Sequence, residues 1–495
     1  MGLLHRFFKQ WQKKSDDCTD SDSLWSVVPN FINGERLTVE SGELIPVYNP
    51  HTGKPERQIY ACGTEQIDMA VKAAMAAQIN WQRTEPKERL QILLKFRELL
   101  SIAVDDLAKI ICQEQGLPYD AALREVEQAL LLLEDTPQWV RRLDGRFLSD
   151  SNKNNTTLYK PEPVGIVCGI DCGQLAMKAP IWVIRNALMC GNSILFRPAS
   201  THPSIGVFLA DLLQRSGLPS GVFNVLHGNH RTISLLLEHK NINATFLHGN
   251  PPQEAWEAIS QSAVRCSLAL TEDCRAVAVI MPDANLEASA KILSRAFVSG
   301  CRNGQHLCAV IAVGSSSLGL GEVLSQAFNE LQSTSDTPLP GAHLCEHTVE
   351  ITNQMKEKLI QDGCSVVWRN DESLPESGWH TGMMVADAVP ADHEILNQIN
   401  PLPILPIIRV PDETGIDEII QQNGLFNTVG LFSENVQEMY RYINKITSIR
   451  QIGINQLPRQ PHAKVGLSGI SDDDLLPFLT RTRTVIHHYG EKKEE

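Results

Sequence analysis

The chain has 495 residues, a formal net charge of −14 and a pI near 5.6. That length exceeds a single core and implies several domains, and the acidity argues against nucleic-acid binding. With 42% hydrophobic and 21% charged residues, the composition is that of a soluble globular protein, and no apolar run approaches the roughly 18 residues of a membrane span.

Taken in chain order, the first 14 residues contain no acid. On a helix, Leu4, Phe7, Phe8 and Trp11 share one face and Arg6, Lys9 and Lys13 another. This is an interfacial or docking pattern, suited to an anionic membrane, an acidic protein surface or a mitochondrial-type presequence. A polar, acidic linker follows over 16–23. Phe31-Ile32-Asn33-Gly34 and Pro46 to Pro50 with Gly53 read as strand–turn signals. Helical spacing covers Thr64–Trp81, Pro86–Gln115 and Ala121–Leu133, the last two separated by Gly116-Leu117-Pro118. Strands and helices then alternate: strand 164–170, helix 180–190, strand 192–197, helix 204–216, strand 221–226. Alternation at this spacing means βαβ units and a parallel sheet, whose ligands bind beyond the strand carboxyl ends. No Gly-x-Gly-x-x-Gly follows any of these strands. The stretch Ala296 to Ala309 holds Cys301 and Cys308 around Gly304-Gln305 and feeds the apolar strand 309–313. A cysteine at such a turn can meet backbone N–H groups that activate a thiol; equally, a cysteine in an apolar run serves as a small buried hydrophobe. The 12 cysteines form no Cys-x-x-Cys pair or Cys/His cluster, so no metal site is expected, and a reducing compartment is.

Several strings, in order, resemble the aldehyde dehydrogenase superfamily, nearest its methylmalonate-semialdehyde dehydrogenase branch. They are Phe31-Ile32-Asn33-Gly34, Tyr48-Asn49-Pro50, Glu114-Gln115-Gly116, Pro163 to Ile166, Ala187 to Asn192, Gly217 to Asn224 and Met281 to Asn285. The resemblance runs from about Phe31 to Val485. It implies an α/β aldehyde dehydrogenase fold: a Rossmann-like cofactor domain, a second α/β domain of the catalytic type and a small β oligomerisation flap. The expected division is an N-terminal helix and linker over 1–28 and the cofactor-type domain over 29–292, with a flap segment near 150–163. The catalytic-type domain covers 293–468, and a flap strand with a charged tail covers 469–495.

The departures from the family pattern fall on its chemistry. The family's nucleophile lies in a Gly-Gln-x-Cys turn. Counted from Ala296-Phe297 and from Val313-Gly314, Gly304 takes the cysteine's place; a second register makes Cys308 the thiol. The four-residue shift moves a side chain by about 13 Å along a strand, which would put Cys308 inside the sheet. Gln174 aligns with the oxyanion-hole asparagine. Thr271 aligns with the general-base glutamate, a residue the semialdehyde branch also lacks, and Glu272 stands beside it as a displaced base. Arg197 aligns with the ribose-binding lysine, and Ser200 with the acid after it. Pro251 and Pro252 remove N–H donors from the pyrophosphate helix start. The motif Glu-x-Phe-Gly-Pro becomes Ile399 to Pro403. The branch's two substrate-carboxylate arginines align with Gln128 and Asn303.

These departures make the leading expectation a homologue that has lost catalysis and serves as a scaffold, a regulatory subunit or a partner. On that reading no cofactor binds, and the protein forms homo-oligomers, or hetero-oligomers with an active relative. It would be cytoplasmic, membrane-associated through residues 1–14, or, alternatively, in the mitochondrial matrix. The rival expectation is an active NAD- or NADP-dependent aldehyde or semialdehyde dehydrogenase. There Cys308 attacks the aldehyde, Gln174 holds the oxyanion and Glu272 acts as base.

Overall fold

The computed structural model describes residues 25–488 apart from 39–41, 150–154, 174–175, 250–255, 258–266, 271–274, 304–306, 315–317, 334–340, 372–373, 399–401, 423–425, 427, 446–448, 450 and 459–471. The expected helix over residues 1–14 lies outside these. The described chain opens with β1 (Asn30–Ile32) and β2 (Glu35–Leu37), turned at Asn33 and Gly34, both with positive φ. The hairpin of β3 (Leu44–Asn49) and β4 (Lys54–Tyr60) follows. Next come helices α1 (Thr64–Trp81), α2 (Pro86–Ile102), α3 (Val104–Gln115), α4 (Tyr119–Glu134) and α5 (Gln138–Arg142). The single helix expected over 86–115 is thus two, broken at Ala103 (φ −98°, ψ 13°). Asp105 and Asp106 in the first turn of α3 favour a new start there, by complementing the helix dipole. Gly116 ends α3 in the left-handed conformation, φ 69°. A Cβ there would lie 2.8 Å from the Cβ atoms of Pro50 and Ala342, so three chain segments meet where only glycine fits.

The expected alternation follows: β5 (Arg146–Ser149), β6 (Asn155–Pro163), β7 (Ile166–Cys172), α6 (Lys178–Met189), β8 (Ser193–Arg197), α7 (Ser204–Arg215), β9 (Phe223–Val225), α8 (His230–Glu238), β10 (Ala244–Gly249) and β11 (Ser267–Leu270). Among the described residues one sheet runs β11-β10-β7-β8-β9-β1-β2. From β11 to β9 its pairings are parallel, and β1 and β2 close it antiparallel. Every residue of β8 and β10 is buried, as expected of strands covered by helices on both faces. All of α6 is buried too, which explains an apolar helix with no polar stripe. One core holds Trp182 and Phe246, and the other holds Ile170 and Leu247.

The second half contains β12 (Ala276–Ile280), α9 (Leu286–Asn303), β13 (Leu307–Val313), α10 (Leu320–Ser333), α11 (Glu346–Gln361), β14 (Ser365–Arg369), β15 (Met384–Asp387), β16 (Ile404–Val410), α12 (Thr414–Gln422), β17 (Thr428–Phe432), α13 (Val436–Lys445) and β18 (Gln451–Ile454). Its sheet runs β14-β15-β16-β13-β12-β17-β18 among the described residues. One face packs around Val277, Ile311, Leu396 and Phe426, the other around Ala278, Val310, Phe297 and Phe328. The expected boundary at 292–293 falls inside α9, and β12 before it already belongs to this second sheet. The chain returns through α14 (Asp472–Leu479) to β19 (Thr480–His488), which pairs antiparallel with β6 along its whole length. Strand β6 pairs in turn with β5, making the three-stranded flap. Asn192 ties this flap to the first sheet: its amide donates to Leu479 O at 3.0 Å and its oxygen accepts from Gly165 N at 2.9 Å.

Candidate functional site

Strands β7, β8 and β10 end together at Cys172, Arg197 and Gly249, the sheet edge where a parallel α/β fold binds ligands. The Arg197 side chain is buried there. Its Nη1 donates to Asp171 O at 2.7 Å, and Nη2 donates to Ser200 Oγ at 2.8 Å. Nε and Nη2 both donate to Gly228 O. The Ser200 hydroxyl in turn donates to Gly228 O at 3.0 Å. Arg197 and Ser200 are therefore brought together as the sequence suggested, with Ser200 the more exposed of the two.

Sequence reasoning missed a charged cluster beneath them. Asp171 accepts from Gly173 N at 3.0 Å and lies 2.9 Å from His248 Nδ1 and 3.4 Å from His202 Nε2. The other ring nitrogen of His202 is 2.9 Å from Thr201 Oγ1 and 3.2 Å from Gln115 Nε2. Burial alone would raise the Asp171 pKa. The hydrogen bonds and charges of His202 and His248 overrule it and hold the carboxyl well below its usual range. Burial pushes the nearby His227 down to about 4, so that ring is neutral at pH 7. No spacing pattern could have found this cluster, because its members come from three strand ends far apart in the chain.

The donor chemistry at this edge fits a nicotinamide dinucleotide with an anionic ribose. Arg197 supplies a cation and Ser200 a hydroxyl, and no carboxylate stands at position 200 to repel a 2′-phosphate. Arg197 and Ser200 are the residues that would hold the adenosine ribose.

The second cluster lies at the start of β12 and β13. Ala276 pairs with Leu307 and Val277 with Ala309, so Cys308 is the extra residue of a β-bulge, a device that re-aims a side chain. Cys308 is half-buried against the core containing Leu396 and Phe426. It lies in a strand, as the first register requires, but neither in regular pairing nor fully in the core. Strand β13 also begins two residues earlier than expected. Arg275, just before β12, is 2% exposed. Its Nη2 donates to Leu396 O at 2.7 Å, and its guanidinium lies 6.0 Å from the Phe426 ring centre. Cys301 is half-buried on α9, packed in the core of Phe297. Gln128 is exposed on α4, and Asn303 is the last residue of α9. Gln174, Pro251, Pro252, Thr271, Glu272, Gly304 and Ile399 lie outside the described residues.

The model of the aldehyde dehydrogenase family matches residues 37–476. The chain belongs to the aldehyde dehydrogenase family. It is 27% identical over 446 residues to malonate-semialdehyde dehydrogenase 2 of Geobacillus kaustophilus, covering 89% of this chain and 92% of that protein. It is 28% identical over 451 residues to the malonate-semialdehyde dehydrogenase of Halalkalibacterium halodurans, covering 89% and 92%. Among solved structures, the methylmalonate-semialdehyde dehydrogenase of Oceanimonas doudoroffii superposes with a TM-score of 0.84 at 23% identity, covering 94% of this chain and 99% of that one. A 3,6-anhydro-L-galactose dehydrogenase in complex with NADP gives 0.82 at 20% identity, covering 93% and 100%.

These relatives confirm the aldehyde dehydrogenase fold and overturn the leading functional expectation. Proteins spanning nine-tenths of the chain are named as dehydrogenases, so loss of catalysis, with a scaffold or regulatory role in its place, is not the reading they favour. The expectation of no cofactor also lacks support, since a structural relative holds NADP. Among the described residues no helix is long and apolar enough to cross a membrane.

Proposed function

We propose that this aldehyde dehydrogenase family chain is an active NAD(P)-dependent semialdehyde dehydrogenase with Cys308 as nucleophile. The observation that carries the reading is the bulge at Cys308, which takes its side chain out of the β12–β13 pairing. The names of the relatives support the reaction class.

The Cys308 thiolate adds to the aldehyde carbon, forming a C–S bond and leaving charge on the oxygen. Gln174 donates its amide to that oxygen. Glu272 takes up the proton when water attacks the resulting thioester, unless coenzyme A releases the acyl group instead. A bound nicotinamide ring supplies the acceptor for the hydride that leaves the aldehyde carbon. With the cation at Arg197 and the hydroxyl at Ser200, NADP binds more tightly than NAD, by roughly tenfold if one charge-assisted contact is gained. The protein works as a homo-oligomer joined through the β5–β6–β19 flap.

Paired substitutions test this. Cys308→Ala abolishes NADP-dependent aldehyde oxidation, whereas Cys301→Ala, on a different element, keeps it. Full turnover by Cys308→Ala would remove the thiol assignment.

A further inference from the structure

Arg275 carries a permanent charge into the second core with little to meet it. Its Nε and Nη1 atoms are buried with no acceptor, and its one hydrogen bond is from Nη2 to the Leu396 carbonyl. Among the described residues no carboxylate pairs with it. A guanidinium cannot shed its proton, and a buried charge is costly unless paired and hydrogen-bonded. Such a group is built to receive an anion. Its planar fork suits a carboxylate best.

Position says which carboxylate. Arg275 immediately precedes Ala276, whose pairing with Leu307 borders the bulge that holds Cys308. Neighbouring strands are about 4.8 Å apart, so the guanidinium and the thiol belong to the same end of adjacent strands. They also share a face: Leu396 and Phe426, which touch Arg275, are in the core against which Cys308 packs. The positions that carry the branch's carboxylate-binding arginines offer no charge here, since Gln128 is exposed on α4 and position 303 is an asparagine.

We infer that Arg275 is the specificity residue of this enzyme, anchoring the carboxylate of a short ω-carboxylated aldehyde while Cys308 meets its carbonyl carbon. The assignment rests on the dehydrogenase reading for the aldehyde, but not for the anion. The strand spacing limits the substrate to roughly two or three carbons between the two groups.

Malonate, the dicarboxylate of matching length, is the probe. Thermal unfolding of the full chain is followed with malonate and with uncharged malonamide at equal concentration. Malonate raises the midpoint and malonamide does not. Arg275→Met weakens malonate binding at least tenfold, and Arg275→Lys, which keeps the charge but loses the fork, falls between. In turnover, the preference for malonate semialdehyde over propanal drops at least tenfold in Arg275→Met. Equal shifts with malonamide, no shift with malonate, or an unchanged malonate affinity in Arg275→Met would overturn the assignment. Should Arg275→Met not fold, Arg275→Lys and the wild-type comparison decide. Malonate binding that depends on Arg275 without any aldehyde oxidation would uphold the anchor and refute the dehydrogenase. Oxidation without Arg275-dependent malonate binding would do the reverse.

Discussion

Replacing Glu114 with leucine should remove a large share of the protein's stability, and the reason lies in a buried ion pair. Glu114 is 2% and Arg57 5% exposed, and Arg57 Nη1 donates to Glu114 Oε1 at 2.6 Å. The second carboxylate oxygen accepts from Ser204 N at 3.2 Å, meeting one of the unpaired N–H groups at the start of α7. Arg57 Nη2 keeps only Gln113 Oε1, at 2.8 Å, once the carboxylate is gone. Stranding a buried charge costs about 3–5 kcal/mol, and losing the acceptor at a helix start costs about 1 kcal/mol more. The sum is comparable with a typical total stability of about 5–15 kcal/mol. Urea unfolding of wild type, Glu114→Leu, Glu114→Gln and the double variant Glu114→Leu/Arg57→Met measures it. The expected order places Glu114→Gln between wild type and Glu114→Leu, with the double variant recovering most of the loss. A double variant as unstable as the sum of its single changes would refute the reasoning, since removing both charges should leave nothing stranded.

Two further outcomes are expected. At the seam where His51 meets the second half of the chain, burial, then the charges of His380 and Lys356, push His343 from 6.5 to about 4. His51 and His380 are lowered as well, chiefly by burial, and the Lys356–Asp371 pair at 2.7 Å faces the same rings. A base whose folded pKa lies below its unfolded one is neutral in the fold, so its stability is full above about pH 6.5 and drains as pH falls towards 4. At about 1.4 kcal/mol per unit, His343 accounts for at most about 3 kcal/mol, and His343→Asn should flatten the unfolding midpoint between pH 7 and 5; an unchanged slope would count against it. The flap reading predicts a light-scattering mass at least twice the 55.0 kDa of one chain, because strand β5 leaves an unpaired edge beside β6; a monomer at micromolar concentration would contradict it.

Much of the first half was legible because its signals are local. Apolar runs of strand length alternating with helical spacing gave β7, α6, β8 and α7 to within a few residues. The break at Ala103 was missed, although Asp105 and Asp106 mark a helix start. The start of β13 was placed late because a bulge, unlike a regular strand, leaves no periodic trace. Side-chain clusters were illegible for a different reason. Asp171 reaches His202 across 31 residues and His248 across 77, and Arg275 reaches Leu396 across 121. Only the fold makes those residues neighbours. The loss of family residues at 200 and 304 was readable from the sequence. What replaces them, a serine on an arginine and a cysteine in a bulge, is a matter of geometry.

The central claim is that the chain oxidises an aldehyde through Cys308. Its most direct test incubates the purified full-length protein with NADP and malonate semialdehyde and follows nicotinamide reduction by absorbance, with Cys308→Ala in parallel. The account predicts turnover in the wild type and none in Cys308→Ala. A wild-type protein that reduces neither NADP nor NAD with any short semialdehyde would contradict it.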